Sequence, residues 1–292
     1  MTAADENAQT FEAHRAGLIG LAYRMLGSRV EAKDVVQDAY LRWHNADHAT
    51  VLQPRNYLGA VVTRLCLDRM KSARARREVY IGPWLPEPIV DETLDIEAAG
   101  ELAHDLSVAL MLLLERLSPL ERASFLLHDV FGLDFAEIAR VLDRGAAACR
   151  QLAARARVHI EDGRPRFSAS NEDGRRLAAA FMRAAQSGDT GMLAEILASD
   201  AVLNPDGGGK RTAPLNPIYG ADNILRFFAG IAQKNATLLS AQWRAATVNG
   251  LAGHVIREQD GTMNTMAFEP RDGRIAAIYL MRNPDKLGHV RF

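Results

Sequence analysis

Apolar side chains recur every three or four residues through most of the N-terminal half, which is the period of an amphipathic helix. This pattern predicts helices over Phe11–Leu26, Val30–His44 and Asn56–Arg77. Further helices are predicted downstream, over Leu102–Leu117, Leu120–Val130, Phe135–Leu142 and Ala146–Ile160. The last two are separated by the tight turn Asp143–Gly145, and this order is the pattern of a helix-turn-helix, although many helical pairs share it.

The periodicity changes beyond the polar stretch Gly163–Gly174. Arg175–Ala198 predicts two helices that are interrupted at Ser187–Asp189. Strand-like runs then follow, at Ala201–Asn204, Thr237–Val248, Ala252–Glu258, Thr262–Glu269 and Arg274–Met281. Asn-Gly or Asp-Gly pairs separate the last four runs, and such pairs between strands favour hairpins. The second half is therefore predicted to be an α+β domain in which helices precede a curved antiparallel meander.

The segment Val79–Glu115 contains no Lys or Arg but eight carboxylates. Its early part holds three prolines, which favour an extended linker over a helix. Trp84 and Leu85 are unusual in a solvated linker, so we expect this segment to dock on a folded surface. The acidity has two interpretations: a solubilising linker, or a chain that follows a basic channel on a partner.

Charge is segregated, although the formal net charge of the 292-residue chain is only −1. Arg64–Glu78 carries six basic residues against two acidic ones, and Arg140–Arg166 carries seven Arg against three carboxylates. Such basic helices indicate surfaces for a polyanion, whereas the simpler alternative is a solvated helix face. Cys66 and Cys149 lie in apolar helical patterns and are expected to be buried thiols without a metal. A polar N-terminus and the lack of a long apolar run predict a cytoplasmic protein.

Three blocks of sequence resemble the extracytoplasmic-function (ECF) group of the bacterial sigma-70 family. They are AYRMLGS at 22–28, EAKDVVQDAYLRWH at 31–44, and LSPLERASFLLHDVFGLDFAEIARVL at 117–142. WLPEP at 84–88, DGGGK at 206–210 and NPDKL at 283–287 resemble the SigJ-like subgroup, whose members carry a C-terminal SnoaL-like (NTF2-like) domain.

The resemblance implies two all-α sigma domains followed by an α+β, cone-shaped SnoaL-like domain. Sigma region 2 would occupy residues 1–78, an acidic linker 79–101, the helix-turn-helix region 4 residues 102–166, and the SnoaL-like domain 167–292. A protein of this family binds core RNA polymerase, at the β′ clamp and the β flap, and directs promoter recognition and transcription initiation. It would be neither an enzyme nor dependent on a cofactor.

The resemblance also implies roles for individual residues. The residues expected to bind the polymerase clamp are Asp34, Gln37, Asp38 and Arg42. The basic track for the −10 promoter strand would be Arg64, Arg69, Lys71, Arg74, Arg76 and Arg77, with Asn45, Asp47 and His48 as weak candidates for a base pocket. The −35 element would contact Arg144, Arg150, Gln151 and Arg155. Gly145 departs from the family's usual serine helix cap, and Ala146–Ala148 offer little for base readout.

The role of the C-terminal domain has alternatives. Some SnoaL-like domains are enzymes, for which the candidate groups here are His254, Glu258, Asp206 and Glu269. A small-molecule sensor that uses the same pocket is the alternative. The glycine-rich stretch Asp206–Lys210 is not a phosphate-binding loop, because it lacks the strand–GxxxxGK[ST]–helix arrangement that such a loop requires. We favour a regulator in cis that acts through Trp84, Pro86, Asp206, Gly207, Gly208, Gly209 and Lys210. The competing functions are a small-molecule enzyme or sensor that controls a DNA-binding region, and an ordinary helix-turn-helix repressor.

Overall fold

The computed structural model describes residues 3–77, 80–90, 107–163, 171–234 and 241–292. Contacts divide the chain into two compact units. The first comprises Met1–Glu78 and Thr93–Arg164, and the second comprises Val79–Glu92 and Pro165–Phe292. The proline-containing linker therefore packs with the C-terminal part of the chain, although in sequence it lies between the two helical lobes of the first unit.

The first lobe of the helical unit contains α1 (Ala3–Leu26), α2 (Arg29–His44) and α3 (Pro54–Arg77). Gly27 ends α1 with a φ of 69°, and the Ser28 hydroxyl caps α2 by accepting a hydrogen bond from the Glu31 amide. These local signals explain why the predicted end of the first helix and the predicted start of the second agree with the structure to within one residue. The start of α1 was predicted wrongly, because the helix begins at Ala3 and not at Phe11. The apolar stripes meet in a core, with members such as Leu18, Leu21, Met25, Val35, Ala39, Leu58 and Val62 fully or almost fully buried.

The second lobe contains α4 (Val108–Arg116), α5 (Pro119–Phe125), α6 (Phe135–Leu142) and α7 (Ala146–Gly163). Ser118 and Glu121 form a capping box at the start of α5, which confirms the predicted Ser-Pro helix start. A π-helical turn at Leu126–Val130 interrupts the helix that the periodicity predicted to continue to Val130. Between α6 and α7, Asp143 has a φ of 52°, which produces the tight turn of the helix-turn-helix.

A buried arginine joins the two lobes. Arg122 on α5 is 2% exposed, and its Nη1 donates a hydrogen bond to the Met25 carbonyl at the end of α1, at 2.6 Å. Its Nη2 lies 3.0 Å from a Glu115 carboxylate oxygen. Burial lowers the pKa of Arg122 to about 10, so the guanidinium stays charged at neutral pH and holds the lobes together.

The second unit contains α8 (Asn171–Ser187), α9 (Thr190–Ile196) and α10 (Ala221–Lys234) with a mixed sheet. Its strands are β1 (Leu197–Asp206), β2 (Ile218–Tyr219), β3 (Gln242–Val248), β4 (Leu251–Arg257), β5 (Met263–Arg271) and β6 (Arg274–Met281). Among the described residues the strand order is β2-β1-β6-β5-β4-β3. The aromatic side chains of Phe181, Phe228 and Phe268 pack together between the helices and the sheet.

The predicted α+β class and the antiparallel meander β3–β6 are confirmed. Asn249-Gly250 and Asp272-Gly273 make its tight turns, with all four residues at positive φ. Two elements, β2 and α10, were not predicted, although Ile224 and Phe228 show the i, i+4 spacing of a helix. Strand β1 is not part of the meander; it pairs in parallel with β6, which sequence spacing alone does not reveal. Of the predicted strand Thr237–Val248, residues 237–240 lie outside the described residues.

Candidate nucleic-acid interface

Helix α7 presents one continuous exposed stripe. Its outward positions follow helical spacing and are Ala147, Arg150, Gln151, Ala154, Arg155 and Val158. Three of the four predicted −35 residues lie on this stripe, and the fourth, Arg144, is exposed in the preceding turn. Cys149, Ala153, Ala156 and Ile160 occupy the opposite, buried face. The sequence therefore places the predicted base-reading residues together on the free face of the second helix of the helix-turn-helix.

The Arg157 side chain belongs to a different face of α7. Its Nε lies 2.8 Å from Asp129 Oδ1, and its Nη2 lies 3.0 Å from the other oxygen of the same carboxylate. This bidentate ion pair occupies the guanidinium edge that would otherwise be available to a phosphate. Arg157 is thus a structural residue of the second lobe.

The predicted −10 residues of α3 have different partners. Arg64 donates hydrogen bonds to two backbone carbonyls of α6, and Lys71 forms an exposed ion pair with Asp68 one turn away. Arg69 Nη2 lies 2.9 Å from Asp38 Oδ2, and its Nη1 lies 3.7 Å from Asp34 Oδ2. The side chains of Arg74, Arg76 and Arg77 lie outside the described residues, although their backbone continues α3.

The ion pair of Arg69 links two sets of residues that the sequence assigned to different partners. Asp34 and Asp38 were expected to face the polymerase, as were Gln37 and Arg42, which are both exposed on α2. In this structure the two carboxylates also neutralise part of the basic face of α3, while their side chains stay 60% and 48% exposed. A polymerase surface that engages Asp38 would therefore also affect the orientation of Arg69.

The loop between α2 and α3 is ordered by its own hydrogen bonds. Asp47 caps a 3-10 turn at His48–Thr50 by accepting from the Ala49 amide, and Thr50 Oγ1 donates to the Asp47 carbonyl. The His48 ring packs edge-on against Trp43, with centroids 4.3 Å apart. Asp47 and His48 therefore have structural tasks in this loop, and Asn45 caps α2 by donating to the Leu41 carbonyl.

A buried carboxylate binds the linker in the second unit. Asp206 is fully buried at the end of β1, and it accepts hydrogen bonds from the Tyr80 hydroxyl and from the Leu85 amide, the latter at 2.8 Å. Lys286 Nζ lies 2.8 Å from the same carboxylate and also donates to the Leu85 carbonyl at 2.6 Å. The ammonium lies over the rings of Tyr80 and Trp84, at 4.8 Å and 4.5 Å from their centroids. We call this group the Asp206 cluster.

The glycine-rich loop after β1 lets the linker approach closely. Gly209 has a φ of 69°, and a Cβ there would lie 2.8 Å from Ile81 Cδ1 on the linker. Gly208 has a φ of 58° and lies against the side chain of Asn283. Lys210 forms an exposed ion pair with Asp285. The expected close approach of another surface to this loop is therefore seen, and the surface is the linker.

The far end of the linker is held by a second set of contacts. Ile89 exchanges hydrogen bonds with Asn249, whose side chain accepts from the Ile89 amide and whose backbone amide donates to the Ile89 carbonyl. His289 Nε2 lies 2.8 Å from the Pro88 carbonyl, and its Nδ1 lies 3.2 Å from Glu87. Pro86, also in the linker, is buried. Sequence reasoning missed Tyr80, Asn249 and His289, and Lys286 was signalled only by the NPDKL block.

The candidate groups for catalysis do not converge. Glu258 is paired with Arg282, and Glu269 accepts a hydrogen bond from the Tyr279 hydroxyl. His254 is 1% exposed between Trp243 and Phe268, and burial lowers its pKa to about 4. Each carboxylate therefore has a structural partner, and His254 is a neutral imidazole in an aromatic core.

The described residues contain no group of three or more His, Cys, Asp or Glu side chains that could hold a metal ion. In the same parts of the chain, every helix is too short or too polar to cross a membrane.

Comparisons with known proteins agree with the geometry of both lobes. A sigma-70 region 2 model matches residues 10–76, and a sigma-70 region 4 model matches residues 107–160. The ECF RNA polymerase sigma factor SigJ of Mycobacterium tuberculosis is 37% identical over 287 residues, which cover 94% of this chain and 91% of that protein. A second relative from that species, named "Probable ECF RNA polymerase sigma factor SigI", is 33% identical and covers 100% of this chain and 98% of its own length.

The similarity extends to a solved structure. The crystal structure of the Mycobacterium tuberculosis ECF sigma factor SigJ has a TM-score of 0.75 to this chain at 33% sequence identity. The match covers 96% of this chain and 98% of that one, so it includes the C-terminal α+β domain as well as both helical lobes.

Proposed function

The chain belongs to the ECF group of the sigma-70 family and is an RNA polymerase sigma factor, and on this premise we propose that its SnoaL-like domain regulates initiation in cis by holding the linker Tyr80–Val90. The observation that carries the proposal is the Asp206 cluster, in which a fully buried carboxylate binds two groups of the linker. Burying a carboxylate is unfavourable unless it is paired and hydrogen-bonded, so docking of the linker stabilises Asp206.

Capture of the linker has a direct consequence for promoter binding. The linker joins the region that would bind the −10 element to the region that would bind the −35 element. In the docked linker, Val90 is the last residue held by the C-terminal domain. Residues 91–106 then connect Val90 to the second helical lobe, whose description begins at residue 107. The C-terminal domain would therefore control how far apart the two DNA-binding lobes can move, and thus which promoter spacings the protein accepts.

We further propose the contacts that the family resemblance implies. The exposed stripe of α7 would bind the −35 element, with Arg150, Gln151 and Arg155 as its base- or phosphate-contacting residues. Helix α3 would bind the −10 strand through its basic residues, and the exposed face of α2 with Gln37 and Arg42 would bind the β′ clamp. The β flap would bind the second lobe.

We also propose that the C-terminal domain performs no catalysis. Two observations support this: the candidate carboxylates are engaged in ion pairs or hydrogen bonds, and His254 is surrounded by aromatic side chains. A general acid or base must reach a substrate, and these groups are committed to structure. The protein would act in the cytoplasm, where the polymerase is, without a cofactor.

Run-off transcription with core RNA polymerase tests the regulatory role. The templates carry one promoter in a series of spacer lengths between the −10 and −35 elements. We expect Asp206→Asn, which weakens linker docking, to broaden the range of spacers that supports initiation. The control is Asp285→Asn, which removes a carboxylate from an exposed ion pair in the same domain. Identical spacer profiles for wild type and both variants would contradict regulation through the linker.

A further inference from the structure

Three side chains of the second lobe stack beside the exposed stripe of α7. The His128 and Phe135 rings are stacked, with centroids 4.1 Å apart and an angle of 28° between their planes. The Arg150 guanidinium carbon lies over the same Phe135 ring, 5.9 Å from its centroid. Such a contact between a cation and an aromatic face is attractive up to a distance of about 6 Å. The stack therefore connects the π-helical turn that precedes α6 to a residue of the stripe.

The aromatic part of the stack is fixed by the backbone around it. The π-helical turn Leu126–Val130 carries His128, whose Nδ1 lies 2.9 Å from the Leu133 carbonyl. A carbonyl oxygen only accepts hydrogen bonds, so Nδ1 carries the hydrogen and the orientation of the ring is set. Phe135 is the first residue of α6, directly after the Asp134 cap. Single π-helical turns are frequent at functional sites, and this one brings the His128 ring onto Phe135.

Arg150 and Arg157 on α7 are held in different ways. The Arg157 guanidinium donates through Nε and Nη2 to the two oxygens of the Asp129 carboxylate. A contact with the face of a ring uses none of the N–H groups, because they lie in the plane of the guanidinium. Arg150 is exposed, so its N–H groups stay available to a phosphate or to the edge of a guanine. The Phe135 ring therefore restrains Arg150 without occupying the donors that would bind DNA.

Restraint of a side chain before binding favours the bound state. A long side chain loses conformational entropy when a ligand immobilises it, and this loss is smaller where the side chain is already held. Arg155 lies on the same stripe, and within the described parts of the chain its guanidinium has no such ring contact. Arg150 and Arg155 look equivalent in the periodicity of α7, yet they differ in how far they are positioned before DNA binds.

We propose that Phe135 is a positioning residue for recognition of the −35 element: its ring, stacked on His128, holds the Arg150 guanidinium in place for a base or a phosphate. The effect of Phe135 on promoter binding then depends on Arg150 and not on Arg155. The proposal rests on the assignment of the α7 stripe to the −35 element, which is part of the proposed function.

A double-mutant cycle in the polymerase holoenzyme tests this dependence. The probe is a labelled duplex that the wild-type holoenzyme selects from a library randomised over the −35 element, and its affinity is measured by fluorescence anisotropy. Phe135→Leu keeps an apolar side chain but removes the ring. We expect it to weaken binding about threefold in the wild-type background and in Arg155→Ala, but less than about 1.5-fold in Arg150→Ala. Equal losses in all three backgrounds would overturn the proposal, because Phe135 would then act only through the fold of the lobe.

A second replacement separates the aromatic face from the shape of the ring, and it stands even if Phe135→Leu fails to fold. Cyclohexylalanine in place of Phe135 has nearly the same volume and apolar character but no π electrons, so the packing of the lobe is kept. We expect it to weaken binding as Phe135→Leu does, whereas Phe135→Tyr, which keeps an aromatic face, should bind like the wild type. Wild-type affinity with cyclohexylalanine would overturn the role of the ring.

Arg150→Ala separates failure of this proposal from failure of its premise. We expect that variant to weaken binding at least about fivefold. If it does so while Phe135→Leu binds like the wild type, the positioning role is wrong and the assignment of the stripe stands. If Arg150→Ala itself binds like the wild type, both the assignment of Arg150 to the −35 element and the positioning role are wrong.

Discussion

Replacing Asp206 with asparagine tests whether the C-terminal domain holds the linker. The change keeps the shape of the side chain but removes its negative charge and replaces one carboxylate oxygen with an amide nitrogen. The carboxylate oxygens accept hydrogen bonds from the Tyr80 hydroxyl, from the Leu85 amide and from Lys286. Asp206 is fully buried and the Lys286 side chain is 14% exposed, so the variant leaves an ammonium without its carboxylate in a place with little water.

The magnitude follows from the burial. Breaking a buried ion pair by removing one partner costs about 3–5 kcal/mol. The lower end applies here, because Lys286 keeps the Leu85 carbonyl and the Tyr80 and Trp84 rings as partners. A loss of about 3 kcal/mol in docking free energy corresponds to an increase of roughly 150-fold in the undocked fraction.

Hydrogen–deuterium exchange of the full chain measures this fraction at the linker. The Leu85 amide donates directly to Asp206, whereas the Ile89 amide donates to Asn249 and reports whether the far end is also released. We expect exchange at Leu85 to accelerate by about two orders of magnitude when opening is fast and reversible. The amides of β4 and β5 should keep their protection, which shows that the domain itself remains folded.

Asp285→Asn is the matched control, because its ion pair with Lys210 is exposed and such pairs contribute about 0–1 kcal/mol. Leu85 protection that remains near the wild-type level in Asp206→Asn would refute the reasoning. In that case the carboxylate would not be what holds the linker.

Three further predictions concern other parts of the chain. Gly209→Val should release the linker, because it combines strain at positive φ with a clash against Ile81. Gly261→Val is the control, since it has the same kind of strain at a φ of 80° but open space around it. Hydrogen–deuterium exchange of the linker amides distinguishes the two variants. Arg150→Ala should weaken binding of −35 duplex DNA to the polymerase holoenzyme by about 1–3 kcal/mol. Arg157→Ala should not change the salt dependence of this binding, because the Arg157 guanidinium is paired with Asp129. Band-shift titrations check both variants. The folded-state pKa of His254 is about 4, which lies below its unfolded value near 6.5, so its contribution to stability is complete above pH 6.5 and declines by at most about 1.4 kcal/mol per pH unit toward pH 4. The free energy of unfolding should therefore depend less on pH in His254→Gln, as measured by urea denaturation monitored through hydrogen exchange of β4 peptides. An unchanged pH dependence of this free energy would contradict the prediction.

Much of the helical unit could be predicted because the deciding interactions are local. Ser28 and Ser118 cap the helices that follow them, Gly27 ends the first helix, and the exposed stripe of α7 follows from its 3.6-residue period. The hairpins at Asn249-Gly250 and Asp272-Gly273 are local in the same sense, since the backbone conformation of two residues sets the connection.

The partners of charged side chains could not be predicted in this way. Arg64 and Arg69 look equivalent in sequence, yet one is held by carbonyls some 77 residues away and the other by carboxylates of α2. An ion pair or hydrogen bond between distant residues depends on how helices pack, and hydrophobic periodicity specifies only which face is buried. A basic stretch therefore indicates where positive charge lies, without showing which guanidinium is free.

By itself, the sequence determined most of the helices, several of their caps, the helix-turn-helix, the antiparallel meander and, through its resemblance, the sigma-factor family. Only the tertiary structure decided that the linker packs with the C-terminal domain, that Asp206 is the carboxylate that binds it, and that α6 covers Arg64. The physical reason is the range of the interactions: helices, caps and turns are set by neighbours within a few residues, whereas a buried carboxylate acquires its role from groups such as Lys286 that are 80 residues away in the chain.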